Sequence, residues 1–398
     1  MKLLKIYFDH LRMFKNGIFE LDLFAADKVP AADESVTAIE RPIYTNNVIA
    51  FAGINASGKS TALCLVELAS RIVNGSPING RGLPASFYSI FDGDATVRCL
   101  VWNEDRLYLI EAVLHSIDST RATDVSGLKI TDESVYRVSS MPLTKNSLGD
   151  WDQLLKNAKV LYQRGETVVT DDRQAWVVMV NDDQSVSAAA MYQDLGMRST
   201  AVVLRETGFK LRQASAGLDC ILKVFDSHIE HLEVLDTGRA FELKFKDEEP
   251  IVLSEEGLAE VLSSGTLRGM SLISRAMGVL NTGGYLLVDE IENHLNRQLV
   301  NVVIDLFASR NTNPHGGTLV FTTHYPQVLD HVHRKDNVFF LVRGEDDRSE
   351  VVKYSTRVRR IENKKSEVFA SNYIKGTAPR YLDVKALKHH VESAVSHE

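Results

Sequence analysis

The sequence predicts an α/β fold in which strands and helices alternate around a mostly parallel sheet, and three stretches predict it. Asn47-Val48-Ile49-Ala50-Phe51-Ala52 is a short, nearly all-apolar run of the kind carried by a strand covered on both faces. It leads straight into the glycine-bearing segment Gly53-Ile54-Asn55-Ala56-Ser57-Gly58-Lys59-Ser60, beyond which a helical pattern runs to Val73. Far along the chain, Tyr285-Leu286-Leu287-Val288-Asp289-Glu290 is a second buried strand ending in two carboxylates. A helix over Asn296 to Arg310 and a strand over Thr318 to Thr323 follow it.

Taken in order, Leu4, Ile6 and Phe8, then Ile18, Glu20 and Asp22, alternate as strands with one buried face do. From Ser60 to Val73, Leu63, Val66 and Ile72 recur at helical spacing, and Asn74-Gly75-Ser76-Pro77 stops the helix. Thr96 to Leu100 and Leu107 to Val113 predict two strands around the turn Asn103-Glu104-Asp105. Further strands are expected at Lys159 to Tyr162, Trp176 to Val180 and Phe241 to Phe245. Between Arg198 and Leu235 the spacing of Leu204, Leu211, Leu218, Leu222, Phe225 and Ile229 predicts helix. Ser263-Ser264-Gly265-Thr266 opens a further helix before Tyr285.

Composition narrows the function. Over 398 residues, 44% are apolar and 25% charged, which excludes disordered and fibrous classes. A formal net charge of -8 gives no overall attraction to nucleic acid or anionic membranes, so DNA contact needs a local basic patch. The cluster Arg357, Arg359, Arg360, Lys364 and Lys365 offers a contact for DNA or an acidic partner, although a solvated face is the commoner meaning of such a run. Cys64, Cys99 and Cys220 are widely spaced and suggest neither disulfides nor a zinc site, as in a reducing cytoplasm. With no apolar run near the roughly eighteen residues of a membrane span, a cytoplasmic protein with no membrane partner is expected.

The segment Gly53 to Ser60 fits G-x-x-x-x-G-K-[ST] in full. Its glycines let backbone N–H groups close around phosphates, Lys59 reaches the β and γ oxygens, and the Ser60 hydroxyl ligates magnesium. ATP and Mg2+ are therefore the expected cofactors, held by Gly53, Asn55, Ala56, Ser57, Gly58, Lys59, Ser60 and Thr61. A glycine turn can match this pattern by chance, but a strand before it and a helix after it argue otherwise. Asp289 is placed to hold the magnesium shell and Glu290 to orient and polarise the attacking water. Ser263 and Gly265 sit at a helix N-terminus that suits an anion, although an ordinary serine N-cap explains the same residues. His324 ends the strand expected beside the P-loop strand, where an imidazole reaches the γ-phosphate or the water.

Together the Walker A segment Gly53 to Ser60, the signature-like Leu262 to Thr266, the Walker B strand Tyr285 to Glu290 and the switch histidine His324 resemble ABC-type ATPase heads of the RecF, Rad50 and OLD group. The forms GINASGKST, LSSGTLR, VDEIENHLN and FTTHYPQVLD are most similar to the bacterial OLD-like set. The resemblance implies an ABC-ATPase head with an N-terminal β-rich lobe and a helical insertion. It also implies a head-to-head dimer in which Ser263 and Gly265 complete the partner's site and Asn293 to Asn296 replace the D-loop. Gln163 is the candidate magnesium-contacting glutamine. About 200 residues separate Walker A from the signature, unlike transport ATPases, and the heptads of long-coiled-coil members are missing. About 70 residues follow His324, so no TOPRIM nuclease is assigned to this chain.

The tail, Lys365 to Ala370 and Lys375 to Tyr381, resembles the end of ATPase subunits from antiphage and abortive-infection systems of the PARIS-like and RloA-like kinds. That resemblance implies a sensor or scaffold with a phage-derived trigger and a separate effector encoded nearby. The motifs divide the chain into an N-terminal ATPase lobe over 1–250, a C-terminal lobe over 251–345 and a tail region for partner contact over 346–398. A RecF-like repair ATPase that clamps DNA when ATP-bound, and a scaffold that binds ATP with little turnover, are the alternatives.

Overall fold

The structure is a computed structural model that describes residues 1–80, 82–117, 127–139, 142–164, 180–197, 200–205, 218–235, 240–293, 295–344, 346–358, 363–378 and 381–395. β1 (Lys2–Phe8) and β2 (Phe19–Asp22) open the chain, the hairpin β3 (Val36–Glu40) and β4 (Ile43–Asn46) follows, and β5 (Val48–Ala52) runs into α1 (Lys59–Val73). Then come β6 (Asp94–Asn103), β7 (Arg106–Ile117), β8 (Gly127–Val138) and β9 (Ala158–Gln163), which join the first two strands in an antiparallel sheet ordered β2-β1-β6-β7-β8-β9.

After α2 (Ser187–Leu195), β10 (Val203–Arg205) and α3 (Leu218–Phe225), the strands β11 (Ile229–Leu235), β12 (Ala240–Phe245) and β13 (Ile251–Ser254) form a small antiparallel sheet. The chain continues through α4 (Ser264–Thr282), β14 (Tyr285–Val288), α5 (Arg297–Ala308), β15 (Thr318–Thr323), β16 (Val338–Arg343), β17 (Ser349–Lys353) and, last, α6 (Tyr381–Val395). The second large sheet is ordered β10-β14-β15-β5-β16-β17, parallel throughout except for β17, which makes a hairpin with β16. Among the described residues no helix is long and apolar enough to cross a membrane.

β5 shows why the sheet closes. All five of its residues are buried, with Ile49 and Phe51 in one core and Val48, Ala50 and Ala52 in another. The first core lies between the two large sheets around α1, and the second between the parallel sheet and α4 and α5. Twelve of the fifteen residues of α1 are buried, far more than one apolar stripe, because a sheet covers the helix on each side. Full burial of each large apolar side chain here contributes about 1.5–3 kcal/mol.

Two sequence expectations change. β1 is buried on both faces rather than one: Leu4 packs with Phe24, Ile43, Leu148 and Leu154 on one side, and Leu3, Ile6 and Phe8 on the other meet the core where the antiparallel sheet lies over the parallel one. Lys2, inside that contact, donates to the carbonyls of Gly316 and Gly283, and burial pulls its ammonium down to about 8. Among the described residues from Arg198 to Leu235, helix occurs only at α3. Val203–Arg205 pairs in parallel with β14, and Ile229–Leu235 is a strand held by β12, so distant partners override the local spacing. Residues 206–217, the expected strand residues Trp176 to Met179, and Arg359 and Arg360 lie outside the described residues. The parallel sheet takes strands from 1–250, 251–345 and 346–398 alike, and β17 begins at Ser349.

Candidate active site

Parallel pairing sets the site. β15 lies between β5 and β14, with Thr323 beside Ala52 and Val288 beside Phe321, so all three strands end at one edge of the sheet. The P-loop leaves β5 there, the acidic pair leaves β14, and His324 follows β15. Ligands of open α/β sheets bind at such carboxyl ends.

The loop needs its glycines for two reasons. A Cβ on Gly53 would fall 2.4 Å from Ser57 Oγ and 2.5 Å from the Leu341 carbonyl oxygen, so only glycine fits. Gly58 adopts φ +95° as the N-cap of α1 and contributes no side-chain cap. The N–H groups of the first turn of α1 consequently face the loop with the positive end of the helix dipole behind them, which is an anion site. Asn55 and Ala56 form the exposed tip, Ala56 at φ +59°, and Ser57 is buried with its hydroxyl unpartnered.

Lys59 Nζ donates to the carbonyls of Gly53 and Ile54, at 2.9 Å each, and lies 3.3 Å from His324 Nδ1. Burial lowers its ammonium to about 8, against the pull of Asp289, Glu290 and Glu292. With lysine as the donor, Nδ1 is the acceptor. The His324 hydrogen is thereby assigned to Nε2, which sits 3.4 Å from Glu290 Oε1.

Asp289 Oδ1 accepts from Ser60 Oγ at 3.1 Å and from Thr322 Oγ1 at 2.6 Å. Thr322 Oγ1 in turn accepts the Glu290 N–H at 2.7 Å, which holds Glu290 in a left-handed turn at φ +49°. Glu292 accepts the His324 N–H at 2.6 Å and keeps its second oxygen buried without a partner. Arg268, five residues past the N-cap of α4, donates to the carbonyls of Asp289 and Glu290 at 3.1 and 3.0 Å.

Magnesium binds hard oxygen donors and takes only one or two from protein, keeping waters and phosphates for the rest. The Ser60 hydroxyl beside the Asp289 carboxylate fits that demand. Among the described residues no cluster of three or more ligating His, Cys, Asp or Glu side chains occurs.

Thus Lys59, Ser60, Asp289, Glu290 and His324 come together. Ser263 does not join them. It is the N-cap of α4, accepting from the Thr266 N–H at 3.0 Å, with Gly265 in the first turn. Asn296 caps α5 in the same way, Asn293 is exposed, and His294 between them lies outside the described residues.

Gln163 lies on the antiparallel sheet. It ends β9 opposite Ser134, next to Glu133, which bonds Ser185, and Ser187 in turn bonds the last carbonyls of α1. These bonds tie the strand next to β9 to the C-terminal end of α1. Sequence reasoning missed Thr322, Glu292 and Arg268, and also Met13 and Ser349, which flank Gly58. The signals available were a polar pair inside an apolar strand and a second acid two residues past Glu290.

Comparison with known proteins adds the family. Residues 113–330, more than half of the chain, match the family described as "AAA domain, putative AbiEii toxin, Type IV TA system". The matched span holds α4, the acidic pair and His324, while the P-loop precedes it. A search of curated proteins gives no match. Among solved structures, the SMC head domain from Thermotoga maritima is similar at 12% identity, with a TM-score of 0.42, covering 89% of this chain and 99% of that one. The chain belongs to the AAA-domain family whose profile spans its residues 113–330.

Proposed function

We propose that this protein is an ABC-type ATPase that binds ATP with magnesium, dimerises head to head and hydrolyses the nucleotide slowly to reset an assembly. One observation carries the reading: the Ser60 hydroxyl lies 3.1 Å from the Asp289 carboxylate beside the Lys59 ammonium, at the N-terminus of α1. In this scheme the free N–H groups of α1 and Lys59 hold the phosphates. Ser60 and Asp289 hold Mg2+, which neutralises phosphate charge when bound.

Glu290 orients and polarises the attacking water, and its hydrogen is drawn toward the carboxylate that His324 Nε2 steadies. Lys59 exchanges its loop carbonyls for phosphate oxygens on binding. Ser263 and Gly265, exposed and half-buried at the start of α4, serve the site of a second copy.

The biological reading is a sensor or scaffold of a bacterial antiphage system that controls a separate effector such as a TOPRIM nuclease. It is supported by the family description, which names a toxin of a toxin–antitoxin system, and by the tail resemblance.

Glu290→Gln tests the chemistry. Turnover of purified protein is expected to fall about 10²-fold or more while ATP binding persists. The ATP-bound dimer is expected to outlive that of the parent in native mass spectrometry. Equal turnover in the two proteins would falsify the catalytic assignment.

A further inference from the structure

α6 buries none of its residues, although Val384, Leu387, Val391 and Val395 are large and apolar. They are 37%, 63%, 49% and 68% exposed, too much for a helix docked on the body of its own chain. A fifteen-residue helix with no tertiary cover is marginal in water, so this one needs a partner.

Its residues say which. Val384 and Val391 are seven apart, and Leu387 and Ala394 each follow three later, which makes them the a and d positions of two heptads. A β-branched residue at a with leucine at d favours two parallel strands. The flanks agree. Asp383 precedes the first a position and Lys388 follows the first d position, so a parallel, in-register pair sets each Asp383 against the partner's Lys388, twice by symmetry. An antiparallel pair with full overlap would instead centre Lys388 on the partner's Lys388, a like-charge contact. Leu382, 74% exposed, lies off this seam.

We propose that α6 pairs with α6 of a second copy as a parallel two-stranded coiled coil. Val384, Leu387 and Val391 form the seam, and Asp383 faces the partner's Lys388 across it. The seam is about 20 Å long, too short to dimerise the protein tightly. It acts as a tether that holds two heads at an effective concentration in the millimolar range before nucleotide arrives. The pairing needs no ATP and stands apart from the reading of the nucleotide site.

The test uses the full chain without nucleotide, with the exposed Cys220 changed to serine; Cys64 and Cys99 are buried. Val384→Cys is expected to give a disulfide-linked dimer under mild oxidation, at least tenfold more than Leu382→Cys, because only a facing a positions approach closely. Adding Asp383→Lys is expected to cut that yield several-fold, and Lys388→Asp on top of it to restore it. Equal yields at 382 and 384, or no rescue by the charge exchange, overturn the proposal. Efficient linkage through Lys388→Cys with none at 384 overturns it in favour of an antiparallel pair.

Discussion

Thr322 offers the sharpest test of how the acidic turn is held. The side chain is fully buried on β15, donating to Asp289 and accepting from the Glu290 backbone. Thr322→Val keeps the shape and deletes both bonds. The bond to the charged carboxylate is worth about 2 kcal/mol, and the half-buried N–H left without an acceptor costs about 1 more, because Ser60 still serves Asp289. The expected loss is therefore about 3 kcal/mol. Thr322→Ser keeps the hydroxyl and loses one buried methyl, at about 1 kcal/mol.

Urea unfolding of the two variants beside the parent reads the difference. Turnover adds a second measure, since release of the left-handed Glu290 moves its carboxylate, and an ångström of misplacement costs on the order of 10²-fold. If serine destabilises as much as valine, or valine is neutral, the hydroxyl does not organise the turn and the account is wrong.

Three further expectations follow from the same site. Lys59 is lowered to about 8 by burial while the unfolded lysine titrates near 10.4, so the unfolded chain binds more protons between those values and this group makes stability rise with pH across that window. Phosphate reverses the shift, so ATP binding at pH 9 should take up close to one proton per site and at pH 7 almost none. Calorimetry in buffers of different ionisation heat measures it, and no uptake at pH 9 contradicts the assignment. Gly53→Ala drives a Cβ into Ser57 and the Leu341 carbonyl and should abolish nucleotide binding, seen as loss of the ATP-induced rise in melting temperature. Arg268→Met removes the clasp between α4 and the acidic turn. Turnover should drop about tenfold or more with the Michaelis constant for ATP little changed, whereas an equal rise in that constant would point to a binding role.

What the sequence made readable tracks where local rules decide. β5, β14 and β15 announce themselves because strands buried on both faces must be apolar throughout, and α4 and α5 because Ser263 and Asn296 cap them. Their order along the chain then sets the P-loop, the acidic pair and His324 at one sheet edge. β10 escaped notice since three residues carry no period and its partner lies about eighty residues on. Gln163 rests on a family pattern, and its strand neighbour Ser134 is set by the pairing of β8 with β9. Thr322 and Arg268 act through bonds to residues 32 to 33 and 21 to 22 positions away, which no window of sequence shows.

The place of β5 in the middle of the parallel sheet has a consequence for how the molecule is born. Both of its neighbours, β15 and β16, are translated roughly 270 residues after it. At about 5–20 residues per second the P-loop strand waits roughly 15 to 50 s at the ribosome with both hydrogen-bonding edges open. During that interval the nascent chain has its phosphate loop but no sheet to hold it, and an all-apolar strand free to pair with a neighbour's. A chain broken off before Thr318 keeps Val48 to Ala52 without either partner strand, so such a fragment is expected to pair with its neighbours rather than to bind ATP.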